Sequence, residues 1–339
     1  MSRTPNTSDL PLVVLTNATF PETRAMFEDS AQVVANLSPE PWPDTVLRDH
    51  CSGASAIMTF MTDRMDGDAL DRMPHLKIVA CALKGFDSFD IAACTERGVW
   101  VTIVPDLLTV PTAELAVGLA IGLTRHVMAG DAHVRSGAFK GWRPSLYGTG
   151  FAGSTVGILG MGRVGCALAD RLKGFDPRLV VHDAQPLDRQ TAARLAVTEM
   201  SAEEIAATSD ILFVCLPLNA GTRHLIDADF IAKIKPGAYL VNPGRGSVVD
   251  EAAVADALKS GHLAGYAADV FEMEDWSLAD RPRAIAPDLL AMTDKTLFTP
   301  HLGSAVREVR IEIEKSAARS ILQVLSGERP DGAINQVDD

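Results

Sequence analysis

The sequence predicts an α/β protein built of two doubly wound parallel-sheet domains with a cleft between them. Three observations carry that prediction. Short apolar runs alternate with helical patterns along the chain, the mark of parallel strands joined by crossover helices. The run Gly160-Met161-Gly162-Arg163-Val164-Gly165 directly follows one of the strands and opens a helix, as in a Rossmann-like unit. A chain of 339 residues is long enough for two domains of ordinary size.

The first ten residues are polar and read as a loose tail. Strands follow near Val13, Ile57, Val79 and Val101. A short helix over Asp90 to Arg97 is stopped by Gly98. A long helix is expected over 112–137, capped by Thr112 and ending near Gly137. A loop rich in Gly, Trp and Tyr runs from Gly141 to Gly153, and the strand TVGIL then enters the glycine run. Further strands end at Asp183, Pro217, Pro243, Val270 and Pro300, giving the second domain five or six strands. The amphipathic stretch from Ala305 to Leu325 lies beyond the last strand and is expected to pack back on the first domain. The first domain is therefore expected to be discontinuous, 1–110 plus 305–339, with 111–304 inserted. Ligands in such sheets bind at the carboxyl ends of the strands, which puts the site in the cleft.

Composition excludes several classes. The chain is 47% apolar and 22% charged, globular rather than disordered. A net charge of −13 argues against a nucleic-acid binder and means that an anionic substrate needs a local cationic cluster. Five cysteines, none at CxxC spacing, read as small buried residues in a reducing compartment. With no signal peptide and no run long enough to span a bilayer, a cytoplasmic protein without membrane association is expected. No cluster has metal-ligand spacing.

The cofactor site reads from the glycine run. Gly160 permits the tight turn, Gly162 lets a pyrophosphate approach, and Gly165 allows close helix packing. Val164 completes the run, and Arg163 either helps neutralise the pyrophosphate or points to solvent. Asp183 ends the next strand, about 20 residues on, where a carboxylate binds the ribose hydroxyls and repels a 2′-phosphate. NAD is expected over NADP.

From Leu76 onward the chain resembles the D-isomer-specific 2-hydroxyacid dehydrogenase family. The glycine run carries the likeness, with LPLNAGTRHLI (Leu216 to Ile226), NPGRGSVVDEAAV (Asn242 to Val254), AADVFEMED (Ala267 to Asp275) and TPHLGS (Thr299 to Ser304). The resemblance implies that Arg245, Glu274 and His301 are catalytic and that the protein is a homodimer. A closer resemblance, to the phosphite (phosphonate) dehydrogenase branch, rests on CALKGFDSFD (Cys81 to Asp90), VPDLLTVPTAELAVGL (Val104 to Leu119), SGAFKGWRPSLYGTG (Ser136 to Gly150) and DVFEMEDW followed by RPR. Where the wider family usually has a proline after the catalytic glutamate, this chain has Asp275. It also has Ile103-Val104-Pro105-Asp106 in place of an Asn-x-Pro-Gly type loop.

The residue types suit that chemistry. Arginine grips an oxyanion at two points, and a carboxylate fixes the tautomer of a histidine base. Arg245 and Lys84 are expected to clamp phosphite, with Ser304 touching substrate or His301. His301, oriented by Glu274, is expected to take a proton from the attacking water. Thr112, Pro217 and Asn219 are expected to line the nicotinamide pocket and Asp269 to meet the nicotinamide amide. Val214, Cys215, Leu216, Pro243 and Gly244 are expected to add cofactor contacts. Trp142 and Tyr147 either close the cleft from a partner subunit or pack in an ordinary interface. The expected reaction is NAD-dependent oxidation of phosphite to phosphate; the alternative is a D-2-hydroxyacid dehydrogenase acting on a small 2-hydroxy or 2-keto acid.

Overall fold

The computed structural model describes residues 10–104 and 106–337. Positions 1–9 of the expected tail, and Pro105 of the loop before Asp106, lie outside the described residues. The chain divides into two compact units, Met1–Leu108 with Val306–Asp339, and Thr109–Ala305.

In the first unit the described strands are β1 (Leu12–Leu15), β2 (Gln32–Ala35), β3 (Ala56–Thr59), β4 (Ile78–Cys81) and β5 (Trp100–Thr102). They form one parallel sheet in the order β2-β1-β3-β4-β5. Successive side chains leave a strand on opposite faces, so each apolar strand feeds two cores. Val13, Leu15, Met58, Ile78 and Ala80 face the helix Arg307–Leu325 through Ile313, Ala317 and Ile321. Val14, Ile57, Val79 and Cys81 pack instead with Leu70, Met73 and Cys94. Glu314 pins the C-terminal helix: its Oε2 accepts the Phe20 N–H and the Thr23 hydroxyl, each at 2.9 Å.

In the second unit the described strands are β6 (Thr155–Leu159), β7 (Arg178–His182), β8 (Val197–Glu199), β9 (Ile211–Val214), β10 (Ala238–Asn242), β11 (Leu263–Ala268) and β12 (Thr296–Phe298). The parallel sheet runs β12-β11-β10-β9-β6-β7-β8. Strand order reverses at β6, where β7 lies on one side and β9 on the other; this is the switch point at which such sheets bind ligands. One face packs on the helix Thr109–Thr124 through Ile158, Phe213 and Val241. The other packs on the Ala202–Thr208, Ala228–Lys233 and Glu251–Ser260 helices through Leu212, Leu240 and Tyr266. Full burial of each of these large side chains contributes about 1.5–3 kcal/mol. Both units thus have the doubly wound parallel architecture expected of them.

Three expectations need correction. Two edge strands, β2 and β8, were missed, because neither has a fully buried run to announce it. The helix expected over 112–137 is two helices, Thr109–Thr124 and Val127–Arg135. It breaks because the Thr124 carbonyl accepts the Thr149 N–H at 3.0 Å, while His126 turns to φ 52. The helix expected from Ala305 begins at Arg307, so Ser304 lies in the turn before it. Among the described residues no helix is long and apolar enough to cross a membrane.

Candidate active site

The glycine run forms the turn from β6 into the helix Arg163–Leu172. Gly160 stands at φ 94, and a Cβ there would lie 2.6 Å from the Cys215 carbonyl oxygen. A Cβ on Gly165 would lie 2.0 Å from the Gly160 oxygen, so the helix approaches the turn only because that position is glycine. Gly162 is different. Nothing stands within 4 Å of a Cβ built on it, and it caps the helix without a side-chain bond. A ligand thus has room beside Gly162, next to the positive end of the helix dipole, as a pyrophosphate requires. Arg163 beside it is exposed and Val164 half-buried.

Asp183 follows β7. Its Oδ2 accepts the Met161 N–H at 2.6 Å and its Oδ1 the Gln185 N–H at 3.0 Å, so the carboxylate stands against the glycine turn. Val214 ends β9, and Cys215, Leu216 and Pro217 lead away from it; the Cys215 N–H donates to the Leu159 carbonyl at 2.7 Å. Pro217 and Asn219 belong to one closed turn. The Thr222 hydroxyl donates to the Pro217 carbonyl at 2.6 Å, and Asn219 Oδ1 accepts the Gly221 N–H at 2.9 Å. Open space at Gly162, a helix N-terminus and an acidic residue beside the turn fit a dinucleotide.

Beyond the sheet stands the trio. β10 ends at Asn242, whose side chain shapes the next turn: its Oδ1 accepts the Gly244 N–H at 3.0 Å, and its Nδ2 donates to the Arg245 carbonyl at 2.9 Å. Pro243 is buried, and Gly244 has no room for a side chain, since a Cβ would lie 2.8 Å from the Val214 oxygen. Half-buried Arg245 opens the 3-10 turn Gly246–Val248. A Cβ on Gly246 would fall 1.9 Å from the Phe271 carbonyl carbon, so this turn presses on the backbone that leads to Glu274. Ser247 N–H donates to Asp275 Oδ2 at 2.6 Å, and Asp275 is 4% exposed.

Glu274 ends the 3-10 turn Glu272–Glu274. Its Oε1 accepts the Phe271 N–H at 2.9 Å, and its Oε2 lies 2.7 Å from His301 Nδ1. That contact fixes the imidazole and assigns the proton to Nδ1, leaving Nε2 for chemistry. His301 adopts φ 56 in a loop fastened by Asp269. Asp269 Oδ1 accepts the Thr299 hydroxyl at 2.5 Å and the Leu302 N–H at 2.7 Å, and its Oδ2 accepts the Gly303 N–H at 2.8 Å. Burial pushes the Asp269 carboxyl above the usual carboxylate range. Expected to meet a nicotinamide amide, Asp269 here spends both oxygens on the histidine loop. Thr112 is close by: a Cβ on Gly303 would lie 3.0 Å from its hydroxyl. Half-buried Ser304 ends the same loop.

Lys84 belongs to the first unit, half-buried in the loop after β4. The Leu83 carbonyl before it accepts the Val104 N–H at 3.0 Å. Reasoning from sequence missed the supports of the trio: Gly246, the buried tie at Asp275, and the side chains of Glu251, Glu272 and His224. The run Glu272-Met273-Glu274-Asp275 was the available signal, and it reads as a solvated acidic patch until the burial is known.

A dinucleotide turn followed by arginine and a glutamate–histidine pair defines a class, the NAD-dependent dehydrogenases of small acids. Residues 117–303 match the D-isomer specific 2-hydroxyacid dehydrogenase, NAD binding domain. A glyoxylate reductase of Thermofilum pendens is 35% identical over 92% of this chain and 91% of its own length. One from Pyrococcus furiosus is 34% identical over 96% of both. The crystal structure of TT0316 protein from Thermus thermophilus superposes with a TM-score of 0.86 at 32% identity, covering 96% of this chain and all of that one. The chain belongs to the D-isomer-specific 2-hydroxyacid dehydrogenase family, and it is an NAD-dependent oxidoreductase.

Proposed function

We propose that the protein oxidises phosphite to phosphate. Water forms the new O–P bond, the P–H bond breaks, its hydride passes to NAD, and the water proton is lost. Bound NAD supplies the hydride acceptor. Arg245 binds the phosphite oxygens and orients the P–H bond, and Lys84 supplies the second cation that a small dianion needs. His301 Nε2 takes the water proton, while its Nδ1–H donates to Glu274 Oε2 at 2.7 Å. Trp142 and Tyr147, 78% and 75% exposed in the single chain, are covered in a homodimer.

The observation that carries this reading is Asp275. The wider family usually has proline there, and here a buried carboxylate bonds the turn that presents Arg245. That departure goes with Lys84 and the other stretches of the phosphite branch. A second reading, reduction of a small 2-keto acid, has its own support. In it Arg245 grips a carboxylate and His301 protonates a carbonyl. The named relatives favour this second reading over the first, since both reductases are named for glyoxylate. Identity of one third fixes fold and family; the substrate depends on individual side chains of the site.

NADH absorbance decides between them. Phosphite with NAD is expected to yield NADH, and D-lactate and D-glycerate much less. Turnover of glyoxylate with NADH and none of phosphite with NAD would establish the second reading. Arg245→Ala and His301→Ala are each expected to lower kcat/KM by about 100-fold or more. Near-normal turnover in both would overturn the roles of Arg245 and His301.

A further inference from the structure

Behind the trio lies a second network that the reaction does not use directly. Glu251 stands in the first turn of the Glu251–Ser260 helix, yet it is only 3% exposed. Its Oε1 accepts the Glu272 N–H at 2.8 Å, and Glu272 Oε1 accepts the Glu251 N–H at 3.0 Å. Each glutamate thus holds the other's backbone. The remaining Glu272 oxygen, Oε2, lies 2.8 Å from His224 Nε2. The His224 N–H donates to the Ser247 carbonyl at 2.7 Å, and the Ile226 N–H donates to the Val248 carbonyl at 3.1 Å. Ser247 and Val248 belong to the turn that Arg245 opens, and Glu272 opens the turn that Glu274 ends. Gly246, with no room for a Cβ, presses one turn on the other.

A buried carboxylate beside a second negative charge resists ionisation. Burial foremost, then the charge of Glu272, pushes the Glu251 carboxyl up to about 7. The groups that face Glu251 are Glu272 and Glu274 from their turn, Tyr266 from β11, and the backbone of Ala286. Glu272 in turn faces His224 and Arg223.

We propose that Glu251, Glu272 and His224 are positioning residues that hold the Arg245 turn and the Glu274–His301 pair in register. The inference rests on the function proposed above. Once Glu251 ionises, its charge is repelled by Glu272 and the bracket loosens, so turnover declines on the alkaline side.

The test compares the pH profile of kcat/KM with hydrogen exchange of the 245–249 and 271–275 segments, corrected for intrinsic rate. In the unaltered protein, activity and protection are both expected to fall as pH rises through about 7. Glu251→Gln cannot ionise and is expected to keep both across that range. Its cost below it is at most about fivefold, the worth of one hydrogen bond. Glu251→Ala is expected to lower kcat by about tenfold, with the KM for NAD unchanged. An alkaline limb in Glu251→Gln identical to that of the unaltered protein would overturn the proposal. So would Glu251→Ala with normal kcat and normal protection. Should both variants fail to fold, pH-independent protection in the unaltered protein overturns it by itself. Exchange needs no substrate: if protection follows pH while neither phosphite nor glyoxylate is turned over, the substrate assignment fails and the bracket stands.

Discussion

Asp183 and Asp275 show how much one carboxylate decides. Asp183 is tied to the glycine turn through Met161, and in our proposal its charge stands against the ribose of a bound dinucleotide. A 2′-phosphate there meets a like charge. Asp183→Ala is therefore expected to narrow the preference for NAD over NADP by about tenfold or more, read as a ratio of kcat/KM values. A ratio that does not change would show that Asp183 does not face the ribose. Asp275 acts on the turn that Arg245 opens. Its backbone, at φ −80, would accept the proline usual in the family, but that residue would lose both the carboxylate for Ser247 N–H and the Asp275 N–H to Glu272 carbonyl bond. Asp275→Pro is expected to fold, to melt earlier by the equivalent of about 1–3 kcal/mol, and to lose phosphite turnover more than NAD binding. Unaltered phosphite kinetics would remove Asp275 from the case for that substrate. The trio was legible because each member stands inside a motif. His224 and Glu272 were not, because their importance lies in whom they touch across 48 residues of sequence.

At the scale of elements, legibility mostly tracked how completely a strand is buried, half-buried β12 being the exception that TLFTP revealed. β1, β3, β4, β6 and β9 announce themselves as apolar runs because parallel strands inside a sheet are covered on both faces. The edge strands β2 and β8 keep polar or half-exposed residues and gave no such signal. The break at His126 was illegible for a different reason. It depends on the Thr149 N–H taking the Thr124 carbonyl, and a Cβ at Gly148 would come 2.0 Å from that same oxygen. No local propensity records a contact of that range. The turn at Gly246 makes the same point about function. It reads as a flexible glycine, but it is a steric requirement: the arginine turn and the glutamate turn touch backbone to backbone. Gly246→Ala is expected to force them apart, costing about 2 kcal/mol or more of stability and over tenfold in kcat/KM. Melting temperature and steady-state kinetics check this together. A variant of normal stability and normal turnover would mean the two turns move independently.

For the whole molecule, each unit buries carboxyls of raised affinity for protons, Asp63 and Glu314 in the first and Glu251 and Asp269 in the second, and these bear on how stability responds to pH. In the first unit Asp63 is 9% exposed, beside a cavity of about 330 Å³ that also touches Thr16, Cys51 and Met65. Burial raises it from 3.8 to about 6, although the Thr16 hydroxyl and the Phe60 N–H pull the other way. In the second unit burial and Glu272 raise Glu251 from 4.5 to about 7. Both are acids whose folded value lies above the unfolded one, so the native state holds the extra protons. Their contribution to stability is complete below about pH 4 and is lost as pH rises through 6 and then 7. The limit is on the order of 3 kcal/mol for each. Carboxyls that are lowered, such as Asp188 and Glu204, act with the opposite sign, but they are exposed and screened. Denaturant unfolding is therefore expected to show stability falling between about pH 4.5 and 7. Asp63→Asn should flatten the earlier part of that fall and Glu251→Gln the later part. Hydrogen exchange should assign the first change to β1 and β3 and the second to β10 and β11. A stability curve that rises through this window would mean that neither carboxyl keeps its proton in the folded protein, and the bracket behind Arg245 would lose its basis with it.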